Sequence, residues 1–162
     1  KTIKLIFYEY VIENGLGIWN SWKDRRKLGR KNKDSKRFVE EGNNLGELGK
    51  FDEAFKCFDE AIELDPKDAG AWGGKGEALS GLGKHDEAFE CFDKAIKLDP
   101  KNDKAWTMMG TASSSYGKKL KKGEKYEKLM WQSVRCYKKA HELNPENPDL
   151  LKEIEDEYNR NA

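Results

Sequence analysis

The side chains of this 162-residue chain that could support catalysis are its two histidines and three cysteines. Neither His85 nor His141 has a cysteine or serine at helical spacing that could act as a nucleophile beside it. His85 begins a segment whose earlier copy has Phe51 at the same place, which favours packing over catalysis. His141 lies near a predicted helix C-terminus, where a cation is mildly favoured. We therefore predict no catalytic residue and no enzyme activity.

The three cysteines share one position in a repeating pattern. Cys57 and Cys91 each precede a phenylalanine and lie four residues before an alanine, and Cys136 has the same spacing to Ala140. Their odd number and wide separation match neither a disulfide framework nor a metal site. We interpret them as small packing residues in a reducing cytoplasm, and we predict no metal site.

The glycines between residues 70 and 76 do not form a nucleotide site. Their spacing differs from the Walker and dinucleotide-binding motifs, and they fall inside a helical pattern. We therefore predict no cofactor. The chain has no run of about 18 apolar residues and no secretory signal pattern, so we predict a cytoplasmic protein without a spanning helix.

A segment of 16 residues occurs twice and organises the rest of the chain. Residues 51–66 read FDEAFKCFDEAIELDP, and residues 85–100 read HDEAFECFDKAIKLDP, with 12 of 16 positions identical. Three of the four differences are charge swaps, so the apolar positions are kept while the solvated ones vary. A period of 34 residues is typical of stacked helical repeats.

Each repeat is predicted to be two antiparallel helices, here called the A and B helices. Apolar residues at spacings of three and four within the B helix indicate one buried face. Two glycines should end the A helices, at Gly49 and Gly83, because glycine accepts a left-handed backbone. Four aspartates should cap helix N-termini: Asp52, Asp68, Asp86 and Asp103.

Glycine also occurs at one matching place inside all three A helices, at Gly42, Gly76 and Gly110. A glycine inside a helix costs about 1 kcal/mol relative to alanine. Three of them at one repeat position predict that another backbone passes close by.

These positions resemble the tetratricopeptide repeat, a 34-residue helix–turn–helix unit. The first unit matches it at Phe38, Gly42, Leu45, Ala54, Phe58, Ala61 and Pro66. The second matches it at Trp72, Gly76, Leu79, Ala88, Phe92, Ala95 and Pro100. The third matches it at Trp106, Met109, Gly110, Tyr137, Ala140 and Pro145. Glu41 and Lys75 replace a usual leucine, and Ser133 replaces a usual alanine.

The resemblance implies an all-α solenoid and a division of the chain into three parts. Residues 1–34 would be an N-terminal helical extension, residues 35–146 three repeats, and residues 147–162 a C-terminal capping helix. The repeats would span 35–68, 69–102 and 103–146. The third has eleven extra residues near 118–128, which predict two lengthened helices, a turn near Gly123 and a projecting basic prong.

The resemblance also implies a non-enzymatic scaffold that binds a peptide or protein segment in a concave groove lined by the A helices. The implied groove residues are Lys36, Val39, Asn43, Gly46, Gly70, Gly73, Glu77, Ser80, Lys104, Thr107, Thr111 and Ser114. Some family members grip the acidic C-terminus of a chaperone with a carboxylate clamp of Lys, Asn, Asn, Lys and Arg. Those places hold Val39, Asn43, Gly74, Lys104 and Met108, and only Asn43 and Lys104 match. Chaperone-tail binding by that mechanism is therefore not expected.

The N-terminal part leaves alternatives open. Residues 3–12 are densely apolar, and we interpret them as a helix, with a β-strand as the alternative. Such a segment could cap the first repeat, lie in the groove or associate with a second copy. Residues 23–37 carry nine basic and two acidic residues, including Arg25, Arg26, Lys27, Arg30 and Lys31. They predict either a solvated linker or, as an alternative function, an adaptor to nucleic acid or an anionic membrane surface.

Overall fold

The computed structural model describes residue 29 and residues 31–161 of the chain. These residues contain seven α-helices and no strand, so the predicted all-α solenoid is confirmed. The helices are α1 (residues 31–47), α2 (Phe51–Leu64), α3 (Ala69–Gly81), α4 (His85–Leu98), α5 (Asp103–Leu120), α6 (Glu124–Leu143) and α7 (Pro148–Asn161). The helix or strand predicted for residues 3–12 lies outside the described residues.

The helices stack in chain order. α3 packs on α2 and α4, α5 packs on α4 and α6, and α7 packs on α6. α3 also contacts α5, which brings alternate helices together on one face of the stack. The A helices α1, α3 and α5 are therefore the elements that position the predicted groove.

Aromatic rings of the B helices pack against glycines of the A helices. A Cβ added at the glycine would meet the ring at 2.9 Å for Gly42 with Phe58, 2.7 Å for Gly76 with Phe92 and 2.9 Å for Gly110 with Tyr137. The expectation of a neighbouring backbone at these glycines was wrong, because the close neighbour is an aromatic side chain.

The A helices end as their glycines predict. Gly49 and Gly83 have φ angles of 72° and 78°. Beyond Gly49, the Lys50 amide donates to the Leu45 carbonyl at 2.9 Å, which satisfies a carbonyl that the helix end leaves open.

The helix N-termini are capped differently from the prediction at three of four places. Asp68 does cap α3, where its carboxylate accepts from the amides of Gly70 and Ala71. Asn102, not Asp103, caps α5. Asp52 and Asp86 lie inside the first turns of α2 and α4, where they complement the helix dipole without a capping bond.

The third helix pair contains the eleven extra residues. α5 has 18 residues against 13 in α3, and α6 has 20 against 14 in α4. Gly123 makes the turn with a φ of 108°. Residues 121–125 around this turn are exposed, and beside the turn the ammonium of Lys125 lies 3.4 Å from the carboxylate of Asp86 on α4.

α7 covers the last B helix. It begins at Pro148, the predicted first helical position. Leu150 is 2% exposed and packs with Tyr137 and Ala140 of α6, with Ile154 beside them.

Candidate functional site

Two adjoining cavities lie on the face made by α1, α3 and α5. The first has a volume of about 480 Å³ and is lined by all three helices and the start of α2. The second has a volume of about 510 Å³ and extends along α3 and α5. Phe51, Glu77 and Met108 line both cavities, so these residues mark the junction of one groove.

Ten of the twelve predicted groove residues line this groove. The first cavity is lined by Val39, Asn43, Gly46, Gly70, Gly73, Glu77 and Lys104. Ser80, Thr107, Thr111 and again Glu77 line the second. Lys36 is exposed and lines neither cavity, and Ser114 is 2% exposed and also lines neither.

The five places of the carboxylate clamp all line the first cavity. Asn43 and Lys104 supply a hydrogen-bonding amide and an ammonium there. Val39, Gly74 and Met108 supply no donor side chain, so the cavity has two of the five groups that hold a carboxylate.

Several residues that line the groove were not in the predicted set, Phe51 and Glu47 among them. Phe51 was assigned to the packing face of α2, yet its half-buried ring lines both cavities. A Cβ on Gly81 would meet that ring at 2.6 Å, so the glycine provides the space that the ring occupies. Met108 was considered only as one place of the carboxylate clamp. The second copy has His85 at the place of Phe51, and this difference was a signal that the position does not have the same packing role in every repeat.

Acidic side chains dominate the centre of the groove. Glu77 is open to solvent, yet the concave walls around it raise the pKa of its carboxyl, and Glu47 raises that pKa further. Neither carboxylate pairs with a basic group among the residues that the structure describes. The groove therefore contains two carboxylates that form no ion pair with a described side chain.

No set of three histidine, cysteine or acidic side chains within the described part of the chain could hold a metal ion. Cys57, Cys91 and Cys136 are all free thiols. No helix among the described residues has the length and apolar character needed to cross a bilayer.

The basic segment falls mostly outside the described residues. Arg25, Arg26, Lys27 and Arg30 lie there, and Lys31 is exposed at the start of α1. Its proposed contact with nucleic acid or a membrane surface stays a prediction, as does self-association through residues 3–12.

Two family models describe the repeated part of the chain. One tetratricopeptide repeat model matches residues 39–103, and a second matches residues 91–128. Together they span residues 39–128, which is more than half of the chain. Among curated proteins none matches the sequence significantly.

Several solved structures have the same arrangement of helices. The first TPR of Spaghetti (RPAP3) bound to the HSP90 peptide SRMEEVD is similar with a TM-score of 0.67 and 22% identity, covering 80% of this chain and 94% of that one. The Arabidopsis OM64 TPR domain gives a TM-score of 0.68 at 22% identity, covering 80% and 98%. A TPR protein of Thermus thermophilus, TTC0263, gives 0.69 at 20% identity, covering 76% and 64%. The TM-scores show that these domains share the fold of this chain.

Proposed function

Because the chain belongs to the tetratricopeptide repeat family, we propose that it is a non-enzymatic scaffold that binds a peptide segment of a partner protein in the groove of α1, α3 and α5. The observation that carries this proposal is the groove itself. Two adjoining cavities of about 480 and about 510 Å³ are open along the faces of α3 and α5. Each has the size of a pocket that encloses several side chains of a ligand.

The composition of the groove supports a peptide in preference to a small polar metabolite. Its walls combine apolar side chains, such as Val39 and Met108, with scattered polar ones, such as Asn43 and Thr107. Glycines at Gly70 and Gly73 leave the α3 wall shallow, so an extended or helical segment could lie close to the backbone.

Solved structures with this fold include peptide complexes, which supports a peptide ligand. The Spaghetti domain is bound to a peptide of HSP90, and the second TPR domain of human RPAP3 is in complex with the HSP70 peptide SGPTIEEVD. In this chain only Asn43 and Lys104 match the carboxylate clamp, so we propose a ligand different from those acidic tails.

The test selects binding peptides from a random-peptide display library on the full chain and measures their affinity by fluorescence anisotropy. Asn43→Trp puts a large ring into the first cavity and should weaken selected peptides by at least about tenfold. Asn44→Trp is the matched control, since Asn44 is the exposed neighbour on α1 and lines neither cavity. Failure to enrich any peptide, or equal losses in both variants, would overturn the proposal.

A further inference from the structure

The junction of the two cavities has a chemical character of its own. Phe51, Glu77 and Met108 are shared by both cavities, so a ligand that spans the groove must cross them. Phe51 and Met108 are half-buried and leave apolar surface exposed to the groove. Glu77 adds a carboxylate between these apolar surfaces.

The carboxylates at and beside the junction form no ion pair with the lysines that line the groove. Glu47 and Glu77 line the first cavity together, and neither pairs with a basic group of the described residues. The basic groove residues lie towards the two ends of α5. Lys104 is one helical turn before Met108, and Lys119 is about 16 Å beyond it, at 1.5 Å per residue.

Lys119 has a contact with a side chain other than Glu77. Its ammonium lies 3.3 Å from the Nε2 atom of His85 at the start of α4. The junction is thus an acidic, partly apolar centre between two basic ends.

From this arrangement we propose that the groove selects a partner segment with a lysine or arginine flanked by large apolar residues, and that its cation is placed against Glu77 and Glu47. This inference rests on the proposed peptide-binding function. The cation would balance two carboxylates that now repel each other, and the flanking apolar side chains would cover Phe51 and Met108. An arginine or lysine head could also contact the face of the Phe51 ring.

An acidic tail has the opposite fit. Its carboxylates would meet the charges of Glu47 and Glu77, and like charges brought together in an interface weaken it. Val39, Gly74 and Met108 offer no donor groups to offset that repulsion. The same groove that is too poor in donors for an acidic peptide is therefore suited to a basic one.

The test compares the sequences and affinities of heptapeptides selected on the full chain. Enriched heptapeptides should contain a lysine or arginine beside at least one large apolar residue. Replacing that basic residue by glutamine in a synthetic copy should weaken binding about tenfold, the effect expected of one charge-assisted contact. The Glu47→Gln/Glu77→Gln double variant should lower affinity for the original peptide by a similar factor and reduce its salt dependence.

The matched control removes the same charge elsewhere. Glu40→Gln/Glu63→Gln changes two exposed carboxylates on α1 and α2 that line neither cavity, and it should leave affinity within about twofold. Circular dichroism of each double variant confirms that the helices are intact.

The outcomes separate this inference from the function on which it rests. If acidic or uncharged heptapeptides are enriched and Asn43→Trp still blocks them, the groove binds peptides but the basic-segment inference fails. If basic peptides are enriched but the Glu40→Gln/Glu63→Gln control weakens them as much as the groove variant, the attraction comes from overall charge and the inference also fails. If no peptide is enriched, the proposed function fails and the inference fails with it.

Discussion

His85 and Tyr116 stack with ring centroids 4.2 Å apart and ring planes 21° apart. The stack joins the first residue of α4 to the lengthened part of α5. Lys119 lies close by and donates a hydrogen bond to His85 Nε2, because an ammonium has no lone pair with which to accept. The imidazole proton is therefore on Nδ1, a buried atom with no hydrogen-bond partner. This arrangement favours the neutral form of His85.

The first prediction concerns the pH dependence that follows from this stack. Burial lowers the pKa of His85 below its ordinary value of 6.5, and Lys119 lowers it further, while Asp86 opposes the shift. Between 6.5 and the lower folded pKa, the unfolded chain binds more protons, so stability falls as pH drops through that interval. His85→Phe, which restores the residue found at Phe51, should remove this loss in urea unfolding at about pH 5 and about pH 7.5.

A variant that removes only one cause of the lowered His85 pKa provides the control. Lys119→Met removes the nearby ammonium but leaves the ring buried, so it should reduce the pH dependence without abolishing it. A His85→Phe protein whose free energy of unfolding changed with pH as much as the wild type would contradict the assignment.

The second prediction concerns Phe58, whose ring is confined between two glycines. A Cβ on Gly74 of α3 would lie 2.3 Å from the ring, and one on Gly42 of α1 would lie 2.9 Å from it. Because the ring cannot move from one without approaching the other, Gly74→Ala should destabilise the chain by about 1 to 3 kcal/mol. Thermal and urea unfolding would measure the loss.

Gly46→Ala is the matched control for that substitution. Gly46 also lies in an A helix and lines the groove, but no heavy atom is within 4 Å of its added Cβ. Its replacement should stabilise the helix by up to about 1 kcal/mol, because alanine has the higher helix propensity. If both substitutions changed stability in the same direction, the confinement of Phe58 would not be the cause.

The repeat spacing was enough to predict the helix order and the helix ends at glycine, because both depend on local backbone geometry. It was not enough to predict the contacts of individual side chains. Lys75 stands where a leucine is usual, and the structure pairs it with Asp59 and places its ammonium 4.9 Å from the Phe55 ring centroid. These partners come from a different helix, and their position depends on the packing angle.

The position of the groove was predicted correctly, but only part of its lining was. The resemblance to the tetratricopeptide repeat implied Asn43, Glu77 and Lys104, and all three line the first cavity. It missed Phe51, which comes from the first turn of a B helix and enters the groove only because Gly81 leaves room for its ring. The shape of a cavity between helices depends on residues of several helices, and the sequence pattern of a single helix does not reveal how they fit together.

The third prediction concerns the stability cost of the acidic junction. The walls of the groove partly desolvate the Glu77 carboxyl and raise its pKa above the ordinary value of 4.5, and Glu47 raises that pKa further. Between 4.5 and the raised pKa, the folded chain binds more protons than the unfolded chain, so this group makes stability fall as pH rises through that interval. Glu77→Gln should match the wild type in stability below the interval and exceed it at neutral pH.

Urea unfolding across the acidic range would follow this difference. Glu47→Gln should give a smaller gain than Glu77→Gln, because it removes only the second cause of the shift. A difference between Glu77→Gln and wild type that stayed constant with pH would show that the effect does not come from titration of Glu77.

The last prediction uses the three thiols as reporters of packing along the stack. Cys57 is half-exposed, whereas Cys91 and Cys136 are 6% and 4% exposed. Burial raises the pKa of all three thiols and raises that of Cys136 to about 11, so about one thousandth of that thiol is ionised at pH 8. Disulfide exchange with an aromatic disulfide reagent should therefore modify Cys57 first, as measured by peptide mass mapping. In concentrated urea the modification rates of the three thiols should converge, because unfolding removes the differences in burial. Early modification of Cys136 in the native chain would contradict the packing of α6.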